Sequence, residues 1–228
     1  IIFILADDYG IVDSQKYAAK FLNTSIDSTF YETPNINKLM NEGISFSQAY
    51  ANQLCSPTRA SILTGKYASR LGLEHKDNIL IEQALVNGTS NSGIPTGKNI
   101  QTNLDELSIA EAMVGYNNAF IGKWHIGGFG AKGFQPQDNG FETLAYFDGG
   151  GSAYFNWRNG WNQKTKERFP KMPQDEWEIG NAGAETGEKY LTDDLTKQAL
   201  KYIDKKAKDK EKPFFLYFSH FAVHTPYQ

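Results

Sequence analysis

Short apolar stretches decide the fold, and the chain opens on one of them, Ile1-Ile2-Phe3-Ile4-Leu5-Ala6, followed at once by Asp7-Asp8. A fully apolar run of this length that ends in a polar cluster is typical of a buried strand. Two further buried strands are predicted at residues 119–122 and 213–218. Residues 44–50 alternate between apolar and polar side chains and predict one more strand.

Helices are predicted in the segments between these strands. Three of them cover residues 33–40, 55–65 and 104–114, and a fourth begins with Thr192 as its N-cap. The fourth helix carries apolar residues at helical spacing, namely Leu195, Ala199, Tyr202 and Ile203. Residues 87–101, rich in Gly, Ser, Thr and Asn, are predicted to form a loop, and residues 127–180 are predicted to form long loops. Because apolar strands alternate with helices, the sequence predicts an α/β fold whose mostly parallel central sheet is flanked by helices on both faces.

The composition excludes several classes of protein. The 228 residues carry 23 lysines and arginines against 26 aspartates and glutamates, a net charge of −3, which is not the basic footprint of a nucleic-acid-binding surface. A hydrophobic fraction of 40% is too high for a disordered chain. The longest apolar run, residues 1–6, is far shorter than the roughly 20 residues of a membrane span. A single cysteine, Cys55, excludes an internal disulfide and any multi-cysteine metal site.

Both ends of the chain lie close to apolar strands. The first strand begins at the first residue, and only a short loop that ends at Gln228 follows the last one. We therefore expect residues 1–228 to form the N-terminal part of a single longer domain, the alternative being natural termini with disordered flanks. The remainder of that domain, and any targeting segment, would lie outside this sequence.

Polar clusters follow three of the apolar stretches: Asp7-Asp8, then Lys123 with His125, and finally His224. Ligands of open α/β sheets bind beyond the carboxyl ends of the strands, so these clusters are expected to converge. The paired carboxylates suit Ca²⁺ or Mg²⁺, unless they are a solvated pair or a helix cap. Lys123 and His125 lie on one side of an extended segment and suit an anionic substrate, unless they are a surface lysine and a structural histidine.

Cys55 and Arg59 lie four positions apart at the predicted start of a helix. The amide groups and the dipole of a helix N-terminus attract anions, and the arginine fork matches a tetrahedral oxyanion. The pair therefore predicts an anion-binding centre beside an activated cysteine. A packed cysteine ahead of an ordinary helix is the alternative that remains open at this point.

The segment Cys55-Ser56-Pro57-Thr58-Arg59-Ala60-Ser61-Ile62-Leu63-Thr64-Gly65-Lys66 resembles the signature of the type I sulfatases, which belong to the alkaline-phosphatase-like superfamily. Residues 3–10 resemble the opening strand and metal-binding aspartates of that family. Residues 122–125 and 224–226 resemble two of its later blocks, in the family's order. The resemblance covers nearly the whole chain and is weakest over residues 11–32, 74–101 and 127–190.

The resemblance implies a sulfuric ester hydrolase in which Cys55 is oxidised to formylglycine by a formylglycine-generating enzyme. In such enzymes one hydroxyl of the hydrated aldehyde attacks sulfur while the alcohol leaves. Deprotonation of the second hydroxyl then expels sulfate, so that one difficult step becomes two. A thiol or a simple alcohol would instead remain as a stable covalent adduct.

The resemblance also implies a metal site. Asp7 and Asp8 would bind Ca²⁺ rather than Mg²⁺, and the cation would contact the modified Cys55 and a sulfate oxygen. The family's remaining metal ligands and a further lysine follow the last matched block, so they would lie beyond Gln228.

Four more residues receive roles from the resemblance. Arg59 would hold the diol, and Lys123 would bind a sulfate oxygen. His125 would contact the second hydroxyl and act as the base for sulfate release. His224 would act as the general acid at the leaving oxygen.

The segment that follows Gly127 is expected to carry the substrate specificity. Its aromatic residues can stack on sugar rings: Tyr154, Phe155, Trp157, Trp161 and Trp177. Its cationic residues can receive an anionic saccharide: Arg158, Lys164, Lys166, Arg168 and Lys171. The expected substrate is a sulfated carbohydrate, the alternative being that the aromatic residues pack the loops together.

Two other functions are considered for the chain. One is a phosphodiesterase or phosphonate hydrolase of the same superfamily. The other is a non-catalytic saccharide-binding relative in which Cys55 stays unmodified. The resemblance further implies export to the periplasm, the exterior or the lysosome. His220 has no motif support and is expected to be a packed strand residue.

Overall fold

The computed structural model describes residues 1–71, 106–126, 136–147, 154–155, 190–209 and 211–225. Contacts divide the chain into two compact units. The first unit comprises Ile1–Asp7 and Asn52–Gln228, and the second comprises Asp8–Ala51. The strands are β1 (Ile2–Leu5), β2 (Asn117–Lys123), β3 (Glu142–Phe147) and β4 (Phe214–Ser219). The helices are α1 (Gln15–Leu22), α2 (Pro34–Glu42), α3 (Cys55–Thr64), α4 (Ile109–Ala112) and α5 (Leu191–Lys206).

The four strands of the first unit form one sheet in the order β1-β4-β2-β3. Every neighbouring pair is parallel, and the register places Phe3 beside Tyr217 and Gly122 beside Ser219. Because all strands run in the same direction, their carboxyl ends meet at one edge of the sheet. The predicted α/β fold with a parallel sheet is confirmed.

Successive side chains of the strands point to opposite faces of the sheet, and helices cover both faces. On one face, Leu216 and Phe218 of β4 pack in a core cluster with Leu195 of α5. On the other face, Tyr217 packs in a second cluster that includes Leu63 of α3. The near-continuous apolar character of β2 and β4 therefore reflects burial on both sides.

Strand β1 departs from the prediction of a buried strand. It lies at one edge of the sheet, and Ile4 is 60% exposed on the face that α5 covers elsewhere. Phe3 and Leu5, which point the other way, pack against the cluster beneath α3. The sequence pattern shows that the strand is apolar, but it does not show whether another element covers each face of the strand.

The second unit contains α1 and α2, and the predicted helix over residues 33–40 is confirmed as Pro34–Glu42. Gln15 at the start of α1 joins it to the segment before α2, since its side-chain oxygen accepts from Thr33 N at 2.7 Å. The strand predicted over residues 44–50 is wrong. No described strand pairs with it, Ile44 is 86% exposed, and the carbonyl of Phe46 accepts from the Tyr17 hydroxyl instead. Alternation alone does not make a strand when no partner supplies the backbone hydrogen bonds.

Three other elements differ from the prediction. Helix α5 begins at Leu191 with Tyr190 as its N-cap, so Thr192 lies inside the first turn rather than at the cap. Of the helix predicted over residues 104–114, residues 106–114 are described, and only the four residues of α4 are helical. Within the predicted loops of residues 127–180, the chain forms β3, which pairs with β2. Residues 87–101, predicted as a loop, lie outside the described residues.

Candidate active site

Helix α3 carries the first two candidate residues. It begins at Cys55, as predicted, and Leu54 in extended conformation is its N-cap. Pro57 is its third residue rather than its first, and Gly65 ends the helix in the left-handed conformation, with φ of 67°. Arg59, one turn after Cys55, is buried, whereas Cys55 is half-buried. The helix thus brings a thiol and a guanidinium to the carboxyl edge of the sheet.

The end of β2 supplies Lys123 and His125. A close approach precedes them, because a Cβ atom on Gly122 would lie 1.7 Å from the main-chain oxygen of Ser219 in β4. Gly122 also has a φ of 105°, which side chains rarely adopt. Lys123 is completely buried, and His125 has a left-handed φ of 55°. The segment is therefore not extended as far as His125, which differs from the prediction.

A buried charge cluster joins three strand and helix ends. The Asp7 carboxylate accepts from the Lys123 ammonium and lies 3.3 Å from the Nη2 atom of Arg59. The Nη1 atom of Arg59 donates to the main-chain oxygen of Lys123 at 2.7 Å and to the Ser219 hydroxyl at 2.5 Å. The Nε atom of Arg59 is buried and has no hydrogen-bond partner among the described residues.

The charges of this cluster do not balance. Two cations, Arg59 and Lys123, face one anion, Asp7, which leaves an excess of one positive charge in a buried place. An uncompensated buried charge is unfavourable, so such a site favours a bound anion. The unsatisfied Nε–H group of Arg59 is a further donor that an oxyanion would satisfy.

Cys55 and His125 meet beside this cluster, with 3.0 Å between Sγ and Nδ1. Burial, followed by the positive charges of Lys123 and Arg59 and by His224, lowers the pKa of His125 well below its ordinary value of 6.5. The imidazole is therefore neutral at neutral pH and able to accept a proton. Because His224 contributes to the lowered pKa of His125, the two histidines lie within electrostatic reach of each other.

His224 lies in the turn that follows β4. The amide of His224 donates to the carbonyl oxygen of Phe221 at 2.9 Å and closes this turn. Its Nδ1 atom lies 2.5 Å from the carbonyl oxygen of Thr225. Because a carbonyl only accepts, Nδ1 donates in that contact, and Nε2 takes no part in it.

Asp7 belongs to the buried cluster, whereas Asp8, the next residue, is counted in the second unit. The side chain of Asp8 is exposed, and its backbone has a left-handed φ of 56°. Both carboxylates are hard oxygen donors of the kind that Ca²⁺ takes, but two residues fall short of its roughly six to eight ligands. Within the described parts of the chain, no three His, Cys, Asp or Glu side chains form a metal-binding group. The residues fit a calcium site in kind and would need further ligands.

Several predicted specificity residues lie outside the described residues, namely Trp157, Arg158, Trp161, Lys164, Lys166, Arg168, Lys171 and Trp177. Tyr154 is described and is buried, so its ring packs in the core rather than offering a face to a sugar. Its neighbour Phe155 is 43% exposed, and its ring lies tilted against that of Tyr190, with 5.2 Å between centroids. His220 is half-buried after β4 with its ring 4.1 Å from that of Phe218, as expected for a packed residue.

One residue of this region was not singled out from the sequence, and a second was assigned a different role. Ser219 is fully buried and accepts from Arg59, and Tyr154 donates to main-chain oxygens of the His224 turn. Ser219 had a signal, since it is a polar residue at the end of an apolar strand. Tyr154 was singled out only as an aromatic residue that could stack on a sugar, because a segment without periodicity gives no sign of a contact with a distant turn.

The sulfatase family model matches this chain over residues 1–228. The chain therefore belongs to the sulfatase family, and so to the alkaline-phosphatase-like superfamily. No helix in the described ranges has the length and apolar character needed to cross a membrane.

Individual relatives agree with this assignment. N-acetylgalactosamine-6-sulfatase of Mus musculus is 33% identical over 207 residues, which are 86% of this chain and 36% of the relative. N-acetylglucosamine-6-O-sulfatase of Bacteroides thetaiotaomicron is 28% identical over 98% of this chain and 30% of its own length. The crystal structure of Ps i-CgsB in complex with k-i-k-neocarrahexaose has a TM-score of 0.68 at 31% identity, covering 100% of this chain and 46% of that chain. The chain thus spans about a third of the curated relatives it matches.

Proposed function

We propose that the full-length protein is a sulfuric ester hydrolase whose nucleophile is formylglycine made from Cys55. The observation that carries the proposal is the buried, net positive cluster of Asp7, Arg59 and Lys123 at the carboxyl edge of the sheet. Cys55 begins the helix that carries Arg59, and it contacts His125. A sulfuryl group in transfer is anionic, and fixed cations that face it stabilise its transition state.

Formylglycine would be produced by a formylglycine-generating enzyme, and its hydrate would supply one hydroxyl as nucleophile and a second to release sulfate. The thiol of Cys55 stands in for those oxygen atoms in this structure. Arg59 would hold the modified residue through the Nε–H group that has no partner among the described residues. His125, which contacts residue 55, would remove the proton from the second hydroxyl.

The remaining two polar residues would act on the substrate. Lys123 would bind a sulfate oxygen, and the Asp7 carboxylate holds its ammonium in place before the substrate arrives. His224 would donate the Nε2 proton to the leaving oxygen as the ester S–O bond breaks. Neither Arg59 nor Lys123 has to reorganise when the substrate binds, because buried hydrogen bonds already hold both side chains.

Asp7 and Asp8 would provide carboxylate oxygens for Ca²⁺, in preference to Mg²⁺, and further ligands would complete its coordination. The cation would supply positive charge that lowers the pKa of the diol and offsets the charge on the substrate.

A sulfated carbohydrate is the substrate class that we propose. The two sugar sulfatases named above and the neocarrahexaose bound in the related crystal structure support this choice. We also propose that the protein is exported, because such sulfatases are commonly exported.

Mass spectrometry of the peptide around Cys55, from full-length protein produced in a host that makes formylglycine, tests the nucleophile. We expect an aldehyde in place of the thiol, and a preparation with only free thiol would contradict the proposal. The Cys55→Ala variant controls for contaminating sulfatases, because it cannot be modified.

Kinetics on matched sulfate and phosphate esters then test the reaction. We expect a clear preference for the sulfate ester, and a strong phosphate preference would favour a phosphodiesterase of the same superfamily. Sugar binding without turnover, together with an unmodified Cys55, would instead indicate a saccharide-binding relative. The His224→Ala variant should lose more activity on esters with poor leaving groups than on activated aryl sulfates.

A further inference from the structure

Tyr154 connects the described core to the turn that carries His224. The hydroxyl of Tyr154 lies 2.7 Å from the carbonyl oxygen of His224 and 2.9 Å from that of Phe221. These two carbonyls belong to the first and last residues of the turn over residues 221–224. One hydroxyl proton therefore spans both ends of the turn.

The anchor on the other side of this contact is rigid. Tyr154 is 4% exposed, and its ring stacks on Tyr190 with 5.6 Å between centroids. Its carbonyl oxygen accepts from the amide of Leu191, the first residue of α5, at 2.8 Å. Leu191 and Leu195 of this helix belong to the same core cluster as Tyr154. The phenol is thus held by a packed helix rather than by the turn itself.

Backbone hydrogen bonds join the middle of the turn to Asp7, just after β1. The amide of Asp7 donates to the carbonyl of Ala222 at 2.9 Å, and the amide of Val223 donates to the carbonyl of Asp7 at 2.6 Å. These bonds fix the inner residues of the turn, but they do not contact the carbonyl of His224. The Tyr154 hydroxyl, by contrast, donates to the carbonyl of His224, at the end of the turn from which the imidazole extends.

We propose that Tyr154 is a positioning residue of this enzyme: its hydroxyl fixes the turn so that the imidazole of His224 is held at the leaving oxygen. The proposal rests on the proposed function, because it takes His224 as the general acid. A small displacement of a proton donor impairs the step in which that proton moves. Removing the hydroxyl should therefore affect the same step as removing His224.

The test uses the full-length protein with Tyr154→Phe, which keeps the ring and removes only the hydroxyl. Tyr202→Phe is the matched control. Tyr202 is also 4% exposed in the same core cluster, and its hydroxyl donates to the carbonyl of Asn117 at the opposite end of β2. Both changes remove one buried hydroxyl, so both have similar effects on stability.

Kinetics give the first readout. In Tyr154→Phe we expect kcat to fall about tenfold or more on sulfate esters with poor leaving groups and far less on activated aryl sulfates. Tyr202→Phe should leave both values near wild type. In a His224→Ala background, Tyr154→Phe should have no further effect, because the two residues act on one step. Equal loss on both esters, or additive loss in the double variant, would overturn the proposal.

Hydrogen exchange gives a readout that does not depend on activity. The amide of His224 is protected by its bond to Phe221, so Tyr154→Phe should speed its exchange, while Tyr202→Phe should not. Unchanged exchange in Tyr154→Phe would overturn the positioning role even if no sulfatase activity were found. Inactive wild-type protein with faster exchange in Tyr154→Phe would instead contradict the proposed function alone.

Discussion

The Sγ atom of Cys55 lies 3.0 Å from the Nδ1 atom of His125, although the two residues are 70 positions apart in the chain. One begins helix α3, and the other follows strand β2. The contact places an imidazole of lowered pKa against the residue for which we propose modification to formylglycine. Under the proposed function, this contact would let His125 act as the base for sulfate release.

Replacing His125 by alanine should lower kcat on an aryl sulfate by about 10²- to 10⁴-fold, the range typical of a lost general base. Mass spectrometry of the same preparation should still find residue 55 modified, which separates catalysis from maturation. A variant that is fully modified and turns over within tenfold of wild type would show that His125 is not the base.

The close approach of β2 to β4 predicts a severe effect of Gly122→Ala. The new Cβ atom would lie 1.7 Å from the main-chain oxygen of Ser219, so the strands must separate. We expect a loss of more than about 4 kcal/mol in the free energy of unfolding, or no folded protein. Gly115→Ala is the control, because Gly115 also has a positive φ, of 89°, but nothing lies within 4 Å of its Cβ position. The control variant should lose only about 1–2 kcal/mol through backbone strain. Similar losses in both variants would contradict the expected clash between the new Cβ atom and Ser219.

The imbalance of the buried cluster predicts an unequal response of its members to neutralisation. Lys123→Met leaves Asp7 paired with Arg59, whereas Asp7→Asn leaves two buried cations without an anion. With metal removed by a chelator, we expect Asp7→Asn to lower the free energy of unfolding by about 3–5 kcal/mol. Lys123→Met should cost clearly less while it abolishes turnover. Denaturant titrations of both variants check the order, and a larger loss in Lys123→Met would refute the charge argument.

His220 predicts a dependence of stability on pH. Burial lowers its pKa in the folded protein, so below its ordinary value of about 6.5 the unfolded chain binds a proton that the folded chain does not. The contribution of His220 to the free energy of unfolding is therefore complete above about pH 6.5, and it is lost as the pH falls through the lower pKa of the folded protein. One proton contributes at most about 1.4 kcal/mol per pH unit.

Denaturant unfolding between about pH 7 and pH 5 tests this effect in wild type and in His220→Phe. The variant should lose less stability over that window, because the other three histidines are the same in both proteins. Parallel losses in the two proteins would mean that His220 is protonated equally in the folded and unfolded chains.

Much of the fold could be predicted because it is encoded locally. Apolar runs bounded by polar residues indicated β2 and β4, and a proline near the start with a glycine after the end indicated α2 and α3. Local pattern failed over residues 44–50, where alternation was present but no neighbouring strand exists in the described chain. It also missed β3, whose pairing with β2 depends on a partner that is distant in sequence.

The sequence by itself determined the family and the parallel α/β class and supplied the residues that we propose for the chemistry, because the signature around Cys55 and the polar ends of apolar strands are local patterns. Only the tertiary structure decided how these residues meet. It buried Lys123 against Asp7, gave Arg59 a partner in Ser219, and placed the Tyr154 hydroxyl on the turn of His224. Such contacts join residues that are far apart in the chain, so they follow from strand order and register, which composition and spacing do not encode.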